Sequence, residues 1–119
     1  MAKLTGGEIL VKCLEAQRVD RVFCVPGESY LAVLDGLVDS NIDVVTSRHE
    51  GGAAIMAEAD GKMLGRPGIC MVTRGPGATN AAAGVHVAKQ DSTPMILFVG
   101  QIGRRMRGRE AFQEVDYRQ

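Results

Sequence analysis

A chain of 119 residues is long enough for one hydrophobic core and short for several domains. Its 14 lysines and arginines balance its 14 aspartates and glutamates, so no net field favours nucleic acid or an anionic membrane, and neither is expected as a partner. No apolar run reaches the length of a bilayer span and the first residues lack a signal-peptide core, which together give a soluble, cytoplasmic expectation.

Thr5 followed by Glu8 is a capping-box pattern, and Ile9, Leu10, Cys13 and Leu14 then recur at helical spacing to about Gln17. Val22 to Val25 reads as a short strand stopped by Pro26-Gly27. Tyr30, Leu31, Leu34, Leu37 and Val38 mark one face of a second helix, followed by a strand from Ile42 to Thr46. His49 to Leu64 is helical again, and Gly65-Arg66-Pro67-Gly68 supplies the glycine and proline of a helix stop. A third strand spans Ile69 to Thr73. Ala78 to Lys89 forms the next helix after Gly75-Pro76-Gly77, Asp91-Ser92-Thr93 is a loop, and Pro94 to Val99 is the fourth strand.

Helices alternating with apolar strands imply βαβ crossovers, hence an α/β fold with a parallel sheet covered on both faces. The three cysteines, Cys13, Cys24 and Cys70, form no Cys-x-x-Cys pair and lie in apolar runs, so buried free thiols are expected. Beyond Gly100 the periodicity disappears. A compact domain seldom ends in so long an irregular tail, and the expectation is a sequence that stops before its final strand and helix.

Two strand-turn-helix units hold the candidate chemistry, at the strand ends where open parallel sheets place their ligands. In the first, Glu50 follows Arg48-His49 and precedes Gly51-Gly52-Ala53-Ala54. A carboxylate there complements the helix dipole whatever else it does. The small residues behind it also admit a second backbone, a subunit or a flat ligand, and under such a cover Glu50 can share a proton with a ring nitrogen. That alanine-rich face, Gly51 to Ala57, is expected to lie exposed in the isolated chain and to drive self-association.

In the second unit, Gly75-Pro76-Gly77-Ala78-Thr79-Asn80 offers free amides at a helix start, suited to an anion or a polar heterocycle. It matches the dinucleotide fingerprint poorly, since Asn80 stands at the third glycine, and Gly61-Lys62 lacks the earlier glycine of a Walker A loop. His49 and His86 have no partners at metal-ligand spacing, so no metal site is expected. Arg104-Arg105-Met106-Arg107-Gly108-Arg109 reads as a solvated charge run, with an acidic substrate as the alternative use.

Taken together, Val25-Pro26-Gly27, Arg48-His49-Glu50-Gly51-Gly52-Ala53-Ala54, Gly75-Pro76-Gly77-Ala78-Thr79-Asn80 and Phe112-Gln113-Glu114 resemble the amino-terminal pyrimidine-binding domain of thiamine-diphosphate enzymes. The likeness to acetolactate synthase and its 2-oxo-acid decarboxylase relatives spans nearly all of residues 1–119, as one incomplete domain. It implies a flavodoxin-like parallel sheet, and a homodimer or higher oligomer with thiamine diphosphate held between chains. It also implies that Glu50 hydrogen-bonds N1′ of the aminopyrimidine and favours its imino tautomer, which takes the proton from C2 of the thiazolium.

By the same matching, Val25, Pro26 and Gly27 should lie near the pyrimidine edge, Thr73, Pro76 and Asn80 should line the same side, and Phe112 and Gln113 should face a 2-oxo acid substrate. Glu28-Ser29-Tyr30 and the arginine run depart from the acetolactate synthase pattern and leave the reaction open, decarboxylation or carboligation. The second domain, which in the family holds Mg2+ and the diphosphate, is absent from these residues, so the chain alone is expected to be inactive. The alternatives are the small subunit of a two-chain 2-oxo-acid decarboxylase and a non-catalytic α/β module that dimerises or binds an anion.

Overall fold

The computed structural model describes residues 3–118. Helices and strands alternate as α1 (Gly6–Ala16), β1 (Arg21–Cys24), α2 (Leu31–Val38), β2 (Asp43–Thr46), α3 (Glu50–Leu64), β3 (Gly68–Val72), α4 (Pro76–Asp91) and β4 (Met95–Val99). Short 3-10 turns occupy Glu28–Tyr30 and Arg104–Met106. All four strands run parallel in the order β2-β1-β3-β4, which is flavodoxin-like, with the chain reversing its direction of travel across the sheet between β1 and β3.

Strand alternation divides the core in two. Val22 and Cys24 of β1 and Ile69 and Met71 of β3 face α1 and α2, where Val11, Leu14 and Leu37 join them. Phe23, Cys70 and Val72 face the other way, onto Ala53, Ala54 and Ala57 of α3 and Ala81 of α4. Both faces of the sheet are thus covered, and β3, buried along its whole length, lies at the centre.

The capping box forms as the sequence expects. The Thr5 amide donates to the Glu8 carboxylate at 2.6 Å, and the Glu8 amide donates to the Thr5 hydroxyl at 3.2 Å. The bond from the Thr5 backbone N–H is the main reason the Glu8 carboxyl sits below its ordinary range. Gly65, at φ 63°, ends α3 in the left-handed conformation that glycine adopts freely. Helix α4 begins two residues earlier than expected, because Pro76 does not break it. As the first helical residue it brings a suitable φ and lacks only an N–H that would have no partner inside the helix.

Three burial expectations need correction. Helix α1 buries Gly7, Val11 and Leu14, leaving Ile9 half exposed and Cys13 exposed. The cause is Gly7, whose missing side chain lets α1 settle against the backbone of Ala32, where any Cβ would overlap it. This contact turns the buried stripe away from Cys13. On α2, Leu31 and Val38 face solvent and Leu37 carries the contact. On α3, Ala53, Ala54 and Ala57 are fully buried inside the chain, so the exposed apolar side chains of this helix are instead Ile55, Met63 and Leu64.

The α3 to α4 contact explains the alanines. A Cβ added at Gly84 would lie 2.5 Å from that of Ala54, so the two helices pack almost backbone to backbone. Further along α3, the Glu58 carboxylate is buried but accepts from the Thr93 hydroxyl at 2.8 Å and pairs with Lys62 at 3.0 Å. Two expectations follow. Gly84→Leu should lower unfolding free energy by about 1–3 kcal/mol through overpacking, measured by urea denaturation, and an unchanged midpoint would mean that the helices stand farther apart. Burial pushes the Cys24 thiol up and the Cys70 thiol up to about 12. With a chromogenic disulfide at neutral pH, Cys13 should react promptly and the other two only on unfolding; rapid reaction of all three would contradict the buried pair.

Candidate active site

The C-terminal ends of β1 and β3 are neighbours where the sheet changes direction, and the starts of α3 and α4 flank them. Helix α3 is opened by His49, whose Nδ1 accepts the Gly51 amide at 3.0 Å, while Ser47 Oγ donates to the His49 carbonyl at 2.9 Å. This fixes Glu50 as the first helical residue. Its half-buried carboxylate points toward α4: Oε2 accepts from Asn80 Nδ2 at 2.9 Å, and Oε1 lies beside Gly77, 3.4 Å from where a Cβ would stand. One oxygen is therefore oriented by an amide, and the other faces a position without a side chain.

Thr73 links this pair to β1. Its Cγ2 would be 2.9 Å from a Cβ on Gly77, and its Cβ 2.6 Å from one on Gly27, so the two glycines bracket it. Its hydroxyl shares a 2.8 Å hydrogen bond with Ser29 Oγ. The structure thus brings Gly27, Thr73, Glu50 and Asn80 together around Gly77. Val25 lies on the same rim and its carbonyl accepts from the Tyr30 hydroxyl, whose titration burial pushes up; Pro26 and Pro76 are exposed.

The Gly75 turn is less bare than its sequence reads. Gly75 adopts φ 57° and ψ −111°, a region that suits glycine, and its amide donates to the Tyr117 hydroxyl at 2.5 Å. The Gly77 amide leans toward the Arg74 carbonyl at 3.4 Å. Two of the amides expected to be open to an anion are thus already engaged. The Gly75 amide is taken by the irregular tail, which returns across the rim. A Cβ at Gly75 would come within 2.5 Å of the Gln113 carbonyl, and Gln113 itself sits at φ 65°.

Phe112 projects outward, 78% exposed, while its carbonyl accepts from Arg74 Nε at 3.1 Å. Phe112 and Gln113 therefore meet the turn through their backbones. Of the remaining sequence candidates, His49 serves as a helix cap and His86 is exposed on α4. Arg104 to Arg109 is an exposed run containing a 3-10 turn.

Sequence reasoning missed Arg74, Ser29 and Tyr30. The signal was present as opposite charges, Glu28 and Arg74, each just beyond the end of an apolar strand. Because β1 and β3 are neighbours, such charges meet.

An oriented, half-buried carboxylate with one oxygen left free by its amide partner can exchange a proton with a polar ring laid against it. Comparison with known proteins gives the family. Residues 4–119 match the family described as thiamine pyrophosphate enzyme, N-terminal TPP binding domain. The chain is 40% identical over 113 residues to a probable acetolactate synthase large subunit of Methanococcus aeolicus, covering 95% of this chain and 19% of that one. It is 39% identical over 116 residues to an acetolactate synthase of Bacillus subtilis, covering 98% and 20%. It is 44% identical over 110 residues to a chloroplastic acetolactate synthase of Arabidopsis thaliana, covering 92% and 16%. The chain spans about a fifth of the length of these curated relatives. With nearly all of its residues matched, it belongs to the thiamine pyrophosphate enzymes, as an N-terminal TPP-binding domain of the acetolactate-synthase-like kind.

Proposed function

We propose that this chain is the pyrimidine-binding, cofactor-activating part of a thiamine-diphosphate-dependent enzyme acting on 2-oxo acids, by decarboxylation or acetolactate-synthase-like carboligation. The observation that carries the reading is Glu50, with Oε2 held by Asn80 and Oε1 turned to the bare position at Gly77. An aminopyrimidine fits such a site. Its ring nitrogen is a partner for the oxygen that Asn80 does not use.

Thiamine diphosphate, when bound, supplies the electron sink that breaking the bond to a carboxyl group requires. The residues of this chain do the rest of the local work. Glu50 would hold a proton toward the ring nitrogen, through the carboxylate oxygen that Asn80 leaves free. Asn80 fixes the plane of the carboxylate, so the proton is presented in one direction. Val25, Pro26 and Gly27 would lie near the edge of the ring, with Thr73, Pro76 and Asn80 lining the same side. Phe112 and Gln113 lie on the substrate side.

Mg2+ and the diphosphate belong to a second domain, in the same or another chain, and the greater length of the relatives supports this division. The active species is a dimer or higher oligomer. The exposed Ile55 and Met63 on α3 give it an apolar contact surface, in place of the buried alanines. The chain by itself is inactive.

The test is exchange of the C2 proton of thiamine diphosphate, followed by NMR in the protein assembled with its diphosphate-binding domain. Glu50→Gln should slow exchange by about 10²- to 10⁴-fold, the range expected for loss of a positioned acid or base, with the fold intact by circular dichroism. Normal exchange in that variant would remove Glu50 from the role.

A further inference from the structure

We propose that Arg74 is a positioning residue, which tethers the segment bearing Phe112 and Gln113 across the rim and so sets the substrate side of the site. The inference rests on the function proposed above. Arg74 follows β3, the fully buried central strand, and its side chain is itself largely buried. A guanidinium in such a place needs partners for its donors, and here they come from two directions. Nη2 pairs with the Glu28 carboxylate beyond the end of β1, and Nε donates 3.1 Å to the Phe112 carbonyl. The planar fork reaches both at once, which a lysine ammonium on its flexible stem does not reproduce.

Neighbouring contacts act in the same direction. The Arg74 amide donates to Ser29 Oγ at 3.2 Å, and the Gly75 amide donates to the Tyr117 hydroxyl at 2.5 Å. Within the tail, the Glu114 carboxylate accepts the Gly108 amide at 2.6 Å and the Ala111 amide at 3.2 Å, so the segment arrives as a folded turn. Glu28 and Ser29 thus have one purpose in common. They hold Arg74 and Thr73 at the ends of the strands.

The tether holds the Phe112 carbonyl and leaves the ring exposed. In the function proposed above, Phe112 and Gln113 face the 2-oxo acid, so the tether sets where they stand.

The experiment compares wild type, Arg74→Ala, Arg74→Lys and Glu28→Gln in the assembled holoenzyme, with pyruvate as the probe substrate, and in the cofactor-free protein by hydrogen exchange. In Arg74→Ala, amide exchange across residues 108–117 should rise at least tenfold while α1 and α2 stay within twofold. The KM for pyruvate should rise at least tenfold, with thiamine diphosphate affinity and C2 exchange within threefold of wild type. Arg74→Lys should restore less than half of the lost protection, and Glu28→Gln, which lies outside the core, should give a two- to fivefold rise in both readouts even if Arg74→Ala does not fold.

Unchanged exchange in Arg74→Ala and Glu28→Gln would overturn the tether. Raised exchange with an unchanged KM would overturn the positioning role. A wild-type holoenzyme that bound no thiamine diphosphate would instead sink the parent reading, a result the cofactor-free exchange measurements keep separate from failure of the tether.

Discussion

The near contact of two helix backbones governs this molecule. Because Ala54 and Gly84 leave almost nothing between α3 and α4, the first residue of one helix and the second turn of the other come within a hydrogen bond. The alanines and glycines of α3 and α4 serve that approach. Larger side chains would push the helices apart and strain the Glu50 to Asn80 bond. Thin helices and an oriented carboxylate are the same fact seen at two scales.

The sheet supplies the second constraint. Parallel strands end their ladders together, and the change of direction between β1 and β3 leaves a crevice at their carboxyl ends. Residues far apart in the chain, Gly27 after one strand and Thr73 after the other, are made neighbours by pairing alone. In the proposed function this crevice takes the flat half of a cofactor and the helix starts provide its polar contacts. The buried charge at Arg74 then acts at the border between scaffold and site. It is anchored on the rigid central strand and fastens a segment with no regular structure of its own, so that this segment inherits the precision of the sheet.

Much of this was legible in the sequence because the signals were local. The capping box at Thr5 and Glu8, the glycine stop at Gly65 and the apolar strand runs each placed an element within a residue or two. The pairing of Glu50 with the Gly75 to Asn80 unit was legible too, since two strand-turn-helix units in a parallel sheet set their turns side by side.

What failed depended on close packing at a distance. The exposure of Cys13 follows from Gly7 meeting Ala32 on another helix, and an apolar count along α1 does not contain it. The burial of Ala53, Ala54 and Ala57 within the chain, where a free face was expected, follows from the glycine on α4. The engagement of the Gly75 amide by Tyr117 lies 42 residues away, in a tail whose lack of periodicity gave no hint of where it would lie.

The central claim is that Glu50 holds a proton on a pyrimidine ring, and it is tested most directly at that ring nitrogen. Thiamine diphosphate labelled with 15N at N1′, bound to the assembled enzyme, reports its own protonation by chemical shift. A resonance at the protonated position in wild type that reverts to the free-base position in Glu50→Ala is the predicted result. The same N1′ shift in both proteins, with the cofactor equally bound, would contradict it.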